Sequence, residues 1–243
     1  MRKYIKIVLL FCVIQLVNAQ EQKVSHSSSW NSFVPKVKID SSFFVTSEFH
    51  FRRTNFLKDW EQFVIRPAIH FKNNKAYDFA LGYSYIRNYS FAYFSSPINS
   101  NEHNIWQQVQ LNHWQGKINF THRFRLEERF IDNIEQNIDG SYSIYGDNYS
   151  NRFRYRITLS RPIIKIKEEK IVYMKIFNEF FINMEEGIRP KSFNQNWFYV
   201  GVGYPITSKL NLDIGYHNIG LKSGSDRFIT NNILQTTISY TIN

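Results

Sequence analysis

Residues 117–130 read KINFTHRFRLEERF, and the way their side chains sort decides the fold. Ile118, Phe120, His122, Phe124, Leu126, Glu128 and Phe130 form one row. Lys117, Asn119, Thr121, Arg123, Arg125, Glu127 and Arg129 form the other. Successive side chains of a β-strand point to opposite faces, so this stretch is a strand with one apolar and one charged face. Residues 152–163 repeat the pattern. Phe153, Tyr155, Ile157 and Leu159 face one way, and Arg152, Arg154, Arg156, Thr158 and Ser160 the other.

Extending the same reading along the chain gives ten candidate strands, near 37–53, 60–72, 76–88, 103–114, 117–130, 151–163, 171–183, 194–206, 209–218 and 230–242. Most exceed the five or six residues usual in soluble sheets and match the roughly 9–11 residues of a tilted bilayer crossing. Connections alternate in length. Residues 73–75, 115–116, 165–170 and 207–208 are short, whereas 54–59, 89–102, 131–150, 184–193 and 219–229 are longer. That alternation is the mark of an outer-membrane barrel with short periplasmic turns and long extracellular loops. Aromatic residues near segment ends (Trp60, Tyr89, Trp106, Trp114, Tyr204, Tyr216, Tyr240) fit interfacial girdles. A secreted β-sandwich or lipocalin-like barrel would alternate too, with its apolar rows turned inward. Strand length and loop alternation favour the membrane form.

Composition agrees. Of 243 residues, 17% are aromatic, which excludes a disordered or collagen-like chain. The formal net charge is +10, compatible with anionic lipid or nucleic acid and diagnostic of neither. Arg2, Lys3 and Lys6 precede an apolar run at 7–17 that ends in Val17-Asn18-Ala19, the pattern of a cleaved secretory signal over residues 1–19. Cys12 is the one cysteine and lies inside it, so the mature chain is expected to carry no disulfide, thiolate metal site or cysteine nucleophile. Residues 20–36 are expected to be an N-terminal periplasmic segment, with Trp30 and Phe33 packing it as a lid, and residues 37–243 the barrel. Twelve strands are the alternative to ten, since 20–36 or 131–150 can hold another hairpin.

The strongest constellation is a belt of charge on the inward row: Arg123, Arg125, Glu127, Arg129, Arg152, Arg154, Arg156 and Glu179. Adjacent strands bring residues near Glu127 opposite Arg154 or Arg156, and Arg154 near Glu179. Guanidinium forks then bridge carboxylates across strands. A barrel of this size is nearly filled by its own side chains, so the belt reads first as a plug. Its alternative roles are an anion-favouring path or a site for phosphate or carboxylate. Catalytic candidates are weak. His113 and His122 flank one turn on the apolar face with no serine beside them, and Asp132, Asp139 and Asp147 are ordinary loop residues. Neither zinc nor calcium spacing occurs, and Gly201-x-Gly203 lies within a strand, where it marks close packing or a bend. No cofactor is expected.

The stretch 122–130 (HRFRLEERF) resembles a motif of an uncharacterised outer-membrane family, domain of unknown function 2490. Arg152-Phe153-Arg154-Tyr155-Arg156, Phe177-Asn178-Glu179-Phe180-Phe181, residues 194–204 and Asp213-Ile214-Gly215-Tyr216 follow in that family's order. Asn196 stands where the family pattern has a basic residue. The resemblance implies an outer-membrane barrel and no particular activity. The expectation is therefore an all-β, antiparallel transmembrane β-barrel in the outer membrane of a Gram-negative-type bacterium. It is monomeric, contacts lipid, binds no nucleic acid and is open to an extracellular ligand at its long loops. Its expected function is that of a structural or interaction barrel with a plugged Arg/Glu lumen. The alternatives are a narrow anion-favouring channel or small-solute transporter, and a lipid- or peptide-modifying enzyme.

Overall fold

The computed structural model describes residues 22–73, 76–167, 170–185, 189–223 and 227–242. The segment read as a secretory signal lies outside them. Among the described residues eleven strands follow one another: β1 (Gln22–Lys38), β2 (Phe43–Thr54), β3 (Asp59–Asn73), β4 (Tyr77–Asn88), β5 (Ser100–Gln115), β6 (Ile118–Gln136), β7 (Tyr142–Lys167), β8 (Lys170–Met184), β9 (Pro190–Pro205), β10 (Leu210–Ser223) and β11 (Arg227–Ile242). Each pairs antiparallel with the next, and β1 closes the barrel against β11. With an odd number of strands the first and last run the same way, so that seam is parallel, from Gln22↔Arg227 to Val37↔Ile242.

The count of eleven corrects the expected ten, and the twelve held as an alternative. Residues 22–38 are a wall strand, not a periplasmic lid. Val24, Ser28, Trp30 and Ser32 are buried inside, but the intervening Ser25, Ser27 and Ser29 erase the apolar row that elsewhere reveals a strand. The expected first strand at 37–53 is the end of β1, a turn and β2. In that turn the Asp40 carboxylate accepts the amides of Ser42 and Phe43, both at 2.7 Å, and those amides hold its carboxyl below the ordinary value.

The second correction concerns 131–150. This is no loop: β6 and β7 run on through it, pairing as far as Gln136↔Tyr142, and residues 137–141 make the tip. A bulge between Asp132 and Ile134, with Gly146 at φ 68°, carries the ladder across the Asn/Asp/Gly-rich sequence that reads as loop. Ladder extension also trims 54–59 to 55–58 and 89–102 to 89–99.

Burial is inverted relative to a water-soluble sheet. Glu179 is 0% and Arg125 2% exposed, whereas Leu81 is 54% and Leu234 58% exposed on the outside. Charged rows therefore face the lumen and apolar rows face outward, as the alternation in 117–130 requires. Trp106 is a third correction: it sits mid-strand inside the barrel, not in an interfacial girdle. Its indole covers Gly82 on the neighbouring strand, where a Cβ would collide with the ring. Gly201 and Gly215 face each other across the β9–β10 ladder and admit the Tyr199 ring in the same way. This is the close packing expected of Gly201-x-Gly203.

Candidate functional site in the lumen

Every residue of the expected charge belt points into the lumen, and register decides its partners. The β6–β7 ladder sets Arg123 opposite Arg156, Arg125 opposite Arg154 and Glu127 opposite Arg152. Two of those pairs juxtapose like charges, which destabilises a sheet unless carboxylates intervene. They do. Glu127 takes Arg152 at 2.6 Å and Arg154 at 2.6 Å. Glu179, directly opposite Arg156 on β8, takes Arg156 at 2.5 Å, Arg123 at 2.5 Å and Arg154 at 2.8 Å. Arg154 thus links the two carboxylates. Arg129 closes a two-pronged pair with Glu102, at 2.7 and 2.9 Å. Arg125 turns instead to Gln108 Oε1 at 2.7 and 3.1 Å, with its guanidinium 3.9 Å above the Trp106 ring and Glu127 at 3.8 Å. Glu127 was expected opposite Arg154 or Arg156. It stands one register step away, opposite Arg152, and still reaches Arg154.

The opposite wall adds residues that the sequence reading left out. On β2 and β3, Glu48 pairs with Arg66 at 2.7 Å and touches His50 at 2.8 Å. Arg52, directly opposite Trp30 in the β1–β2 ladder, lies 3.7 Å over that indole and donates to Gln62 Oε1. An aromatic cluster from β1, β8, β9 and β10 completes the ring. Trp30 meets Trp197 edge-on at 5.5 Å and His217 at 5.4 Å, and Phe177 stacks on Tyr199 at 4.9 Å. The Trp197 ring lies 5.7 Å from Arg52 on one side and 5.5 Å from Arg154 on the other, bridging the two walls by cation–π contacts. The available signal was the alternation of His50, Arg52, Trp197 and Tyr199 with apolar neighbours, which assigns a face but no partner.

These side chains divide the lumen. A chamber of about 400 Å³ opens toward the end bearing the 89–99 connection, and one of about 370 Å³ toward the short-turn end. Trp30, Arg52, Arg66, Arg154 and Trp197 line both and form the layer between them. The connection expected as a long loop at 89–102 bends over the first chamber. Phe91 and Phe94 pack on the His26 ring at 5.7 and 5.1 Å.

The weaker catalytic candidates have local partners. His113 stacks on His122 at 5.3 Å on the outer face, and His122 Nδ1 meets the Tyr155 hydroxyl at 2.9 Å. Asp132 accepts the Asn101 amide at 2.6 Å, and Asp139 accepts from Ser141 at the hairpin tip. Asp147 pairs with Asp132 across the β6–β7 ladder.

Comparison with known proteins gives a family. The β domain of the Bordetella autotransporter BrkA is 10% identical over 80% of this chain and 81% of its own, with a TM-score of 0.47. The NanC porin is 11% identical over 82% of this chain and 90% of its own, with a TM-score of 0.40. No curated protein matches the chain. A family profile described as protein of unknown function (DUF2490) matches residues 27–228, most of the sequence and nearly the whole barrel. The chain belongs to that family, DUF2490.

Proposed function

We propose that this chain is an outer-membrane barrel, exported by residues 1–19, whose lumen is closed at rest, and that it acts by binding at its outward end rather than by passing solutes. The supporting chemistry of the outer face is thermodynamic. Leaving a large apolar side chain in water forgoes about 1.5–3 kcal/mol. The outer wall exposes Phe79, Leu81, Ile105, Phe198, Val202, Ile214, Leu234 and Ile238. Hydrocarbon removes that cost, and strands of 12 to 26 residues are long enough to cross it. Periplasmic turns at the short-turn end leave the β6–β7 ribbon and the 89–99 loop outside. In this reading the protein is a monomer in contact with lipid, binds a ligand at its outward loops, and performs no catalysis.

The observation that carries the closed lumen is the layer of Trp30, Arg52, Arg66, Arg154 and Trp197 between the two chambers. Cation–π contacts and shared carboxylates hold it together, so opening would separate several buried ion pairs at once. Liposome swelling tests the proposal. Proteoliposomes of the refolded mature protein should take up arabinose no faster than empty liposomes, and rapid swelling would overturn the closed state.

A narrow anion-favouring channel is the second reading. Two features favour it: the layer is a single tier of side chains, and its Arg52 makes no carboxylate ion pair among the described residues.

A further inference from the structure

Most guanidiniums of the lumen pair closely with carboxylates; Arg125 has only a 3.8 Å contact to Glu127, and Arg52 has no ion pair among the described residues. Its Nη1 donates to Gln62, its Nε has no acceptor, and no carboxylate pairs with it among the described residues. It is 7% exposed and faces both chambers. Glu61 and Glu48 act on this cation only from beyond ion-pair distance, so the contact position on its guanidinium is open to a small anion. Beside it, across the Trp30 ring, His217 is 1% exposed. Its Nδ1 meets Gln235 Oε1 at 2.6 Å, and its Nε2 has no partner. An amide oxygen only accepts, so Nδ1 carries the proton and Nε2 is an acceptor waiting for a donor.

We propose that the short-turn-side chamber binds a small hydroxylated organic anion, with its carboxylate or phosphate on Arg52 and a hydroxyl donating to His217 Nε2. Three features set that class. The carboxylates lining this chamber are engaged, Glu48 by Arg66 at 2.7 Å and Asp213 by Lys175 at 2.7 Å, and Glu61, held by Trp30 and Asn231, lines the other chamber, so they repel an anion weakly. Hydroxyls of Thr158, Thr237 and Ser239 line the rest of the wall and suit a hydroxylated body. About 370 Å³ lies at the lower end of small-molecule sites, roughly 300–1,000 Å³, which fits a single sugar-sized acid rather than an oligomer. The site goes beyond the closed barrel proposed above and functions whether or not the layer ever opens.

Trp30 and Trp197 line the chamber and report on it. Tryptophan fluorescence of the refolded mature protein, in detergent and chloride-free buffer, is titrated with gluconate, glucose 6-phosphate and glucose. A saturable change with at least one acid, at least tenfold tighter than with glucose, is expected, and the tighter acid identifies the head group. Arg52→Gln should weaken it at least tenfold. Thr237→Glu, which sets a carboxylate in the chamber wall without touching the layer, should do so as well and decides the matter if Arg52→Gln does not fold. No saturable change with either acid, glucose binding as tightly, or folded variants that bind like the parent would overturn the site.

Discussion

Glu179 carries more of the lumen than any other single side chain. One carboxylate with no exposure holds three guanidiniums, and Arg154 passes the connection on to Glu127. Breaking a buried pair from one side leaves charge uncompensated and costs about 3–5 kcal/mol. Glu179→Gln should therefore lower stability by about that amount in equilibrium urea unfolding of the folded protein. A loss below about 1 kcal/mol would mean water already solvates the lattice. The Gly82 position makes a separate demand. The indole of Trp106 occupies the space a Cβ would need, with its N–H bonded to Ser84 Oγ at 3.0 Å. Overpacking of this kind costs about 1–3 kcal/mol. Gly82→Ala should show that loss together with a change in tryptophan emission, and a neutral substitution would place the indole elsewhere.

At the scale of elements, β1 and the β6–β7 ribbon are where structure departs from sequence expectation, and each departure can be tested. The β1–β11 seam aligns Ser27 with Asn232. Neighbouring strands lie about 4.8 Å apart, within reach of a disulfide. Ser27→Cys with Asn232→Cys should cross-link on oxidation, since the only native cysteine is Cys12. Absence of the link in folded protein would return β1 to the role of a lid. Beyond the ends of β5 and β8, residues 134–136 pair with 142–144 and, among the described residues, with no other strand. A free two-stranded ribbon is marginal by itself and supports nothing below it. Replacing 133–146 with a short Asn-Gly turn should leave the unfolding midpoint of the barrel unchanged. The charge belt was legible because alternation is local: each strand assigns Arg125, Glu127 and Arg154 to a face without knowing its neighbours. Partners across the lumen were not. Trp30 meets Trp197 only because β1 and β9 curve toward each other when the barrel closes, and no periodicity records that approach. Ser25, Ser27 and Ser29 hid a wall strand, while the turn-forming 137–140 and 146–148 made a ribbon read as a loop.

As a whole, the molecule is an inverted protein, with its ionic network inside, its hydrocarbon side chains outside and one layer of side chains across the middle. The central claim is that this layer closes a membrane barrel, and single-channel recording of the refolded mature protein in a planar bilayer tests it most directly. The account predicts silence from the parent protein, and anion-favouring steps from a Trp30→Ala, Arg52→Ala variant that joins the two chambers. Steady conductance through the parent, or silence from the folded double variant, would contradict it.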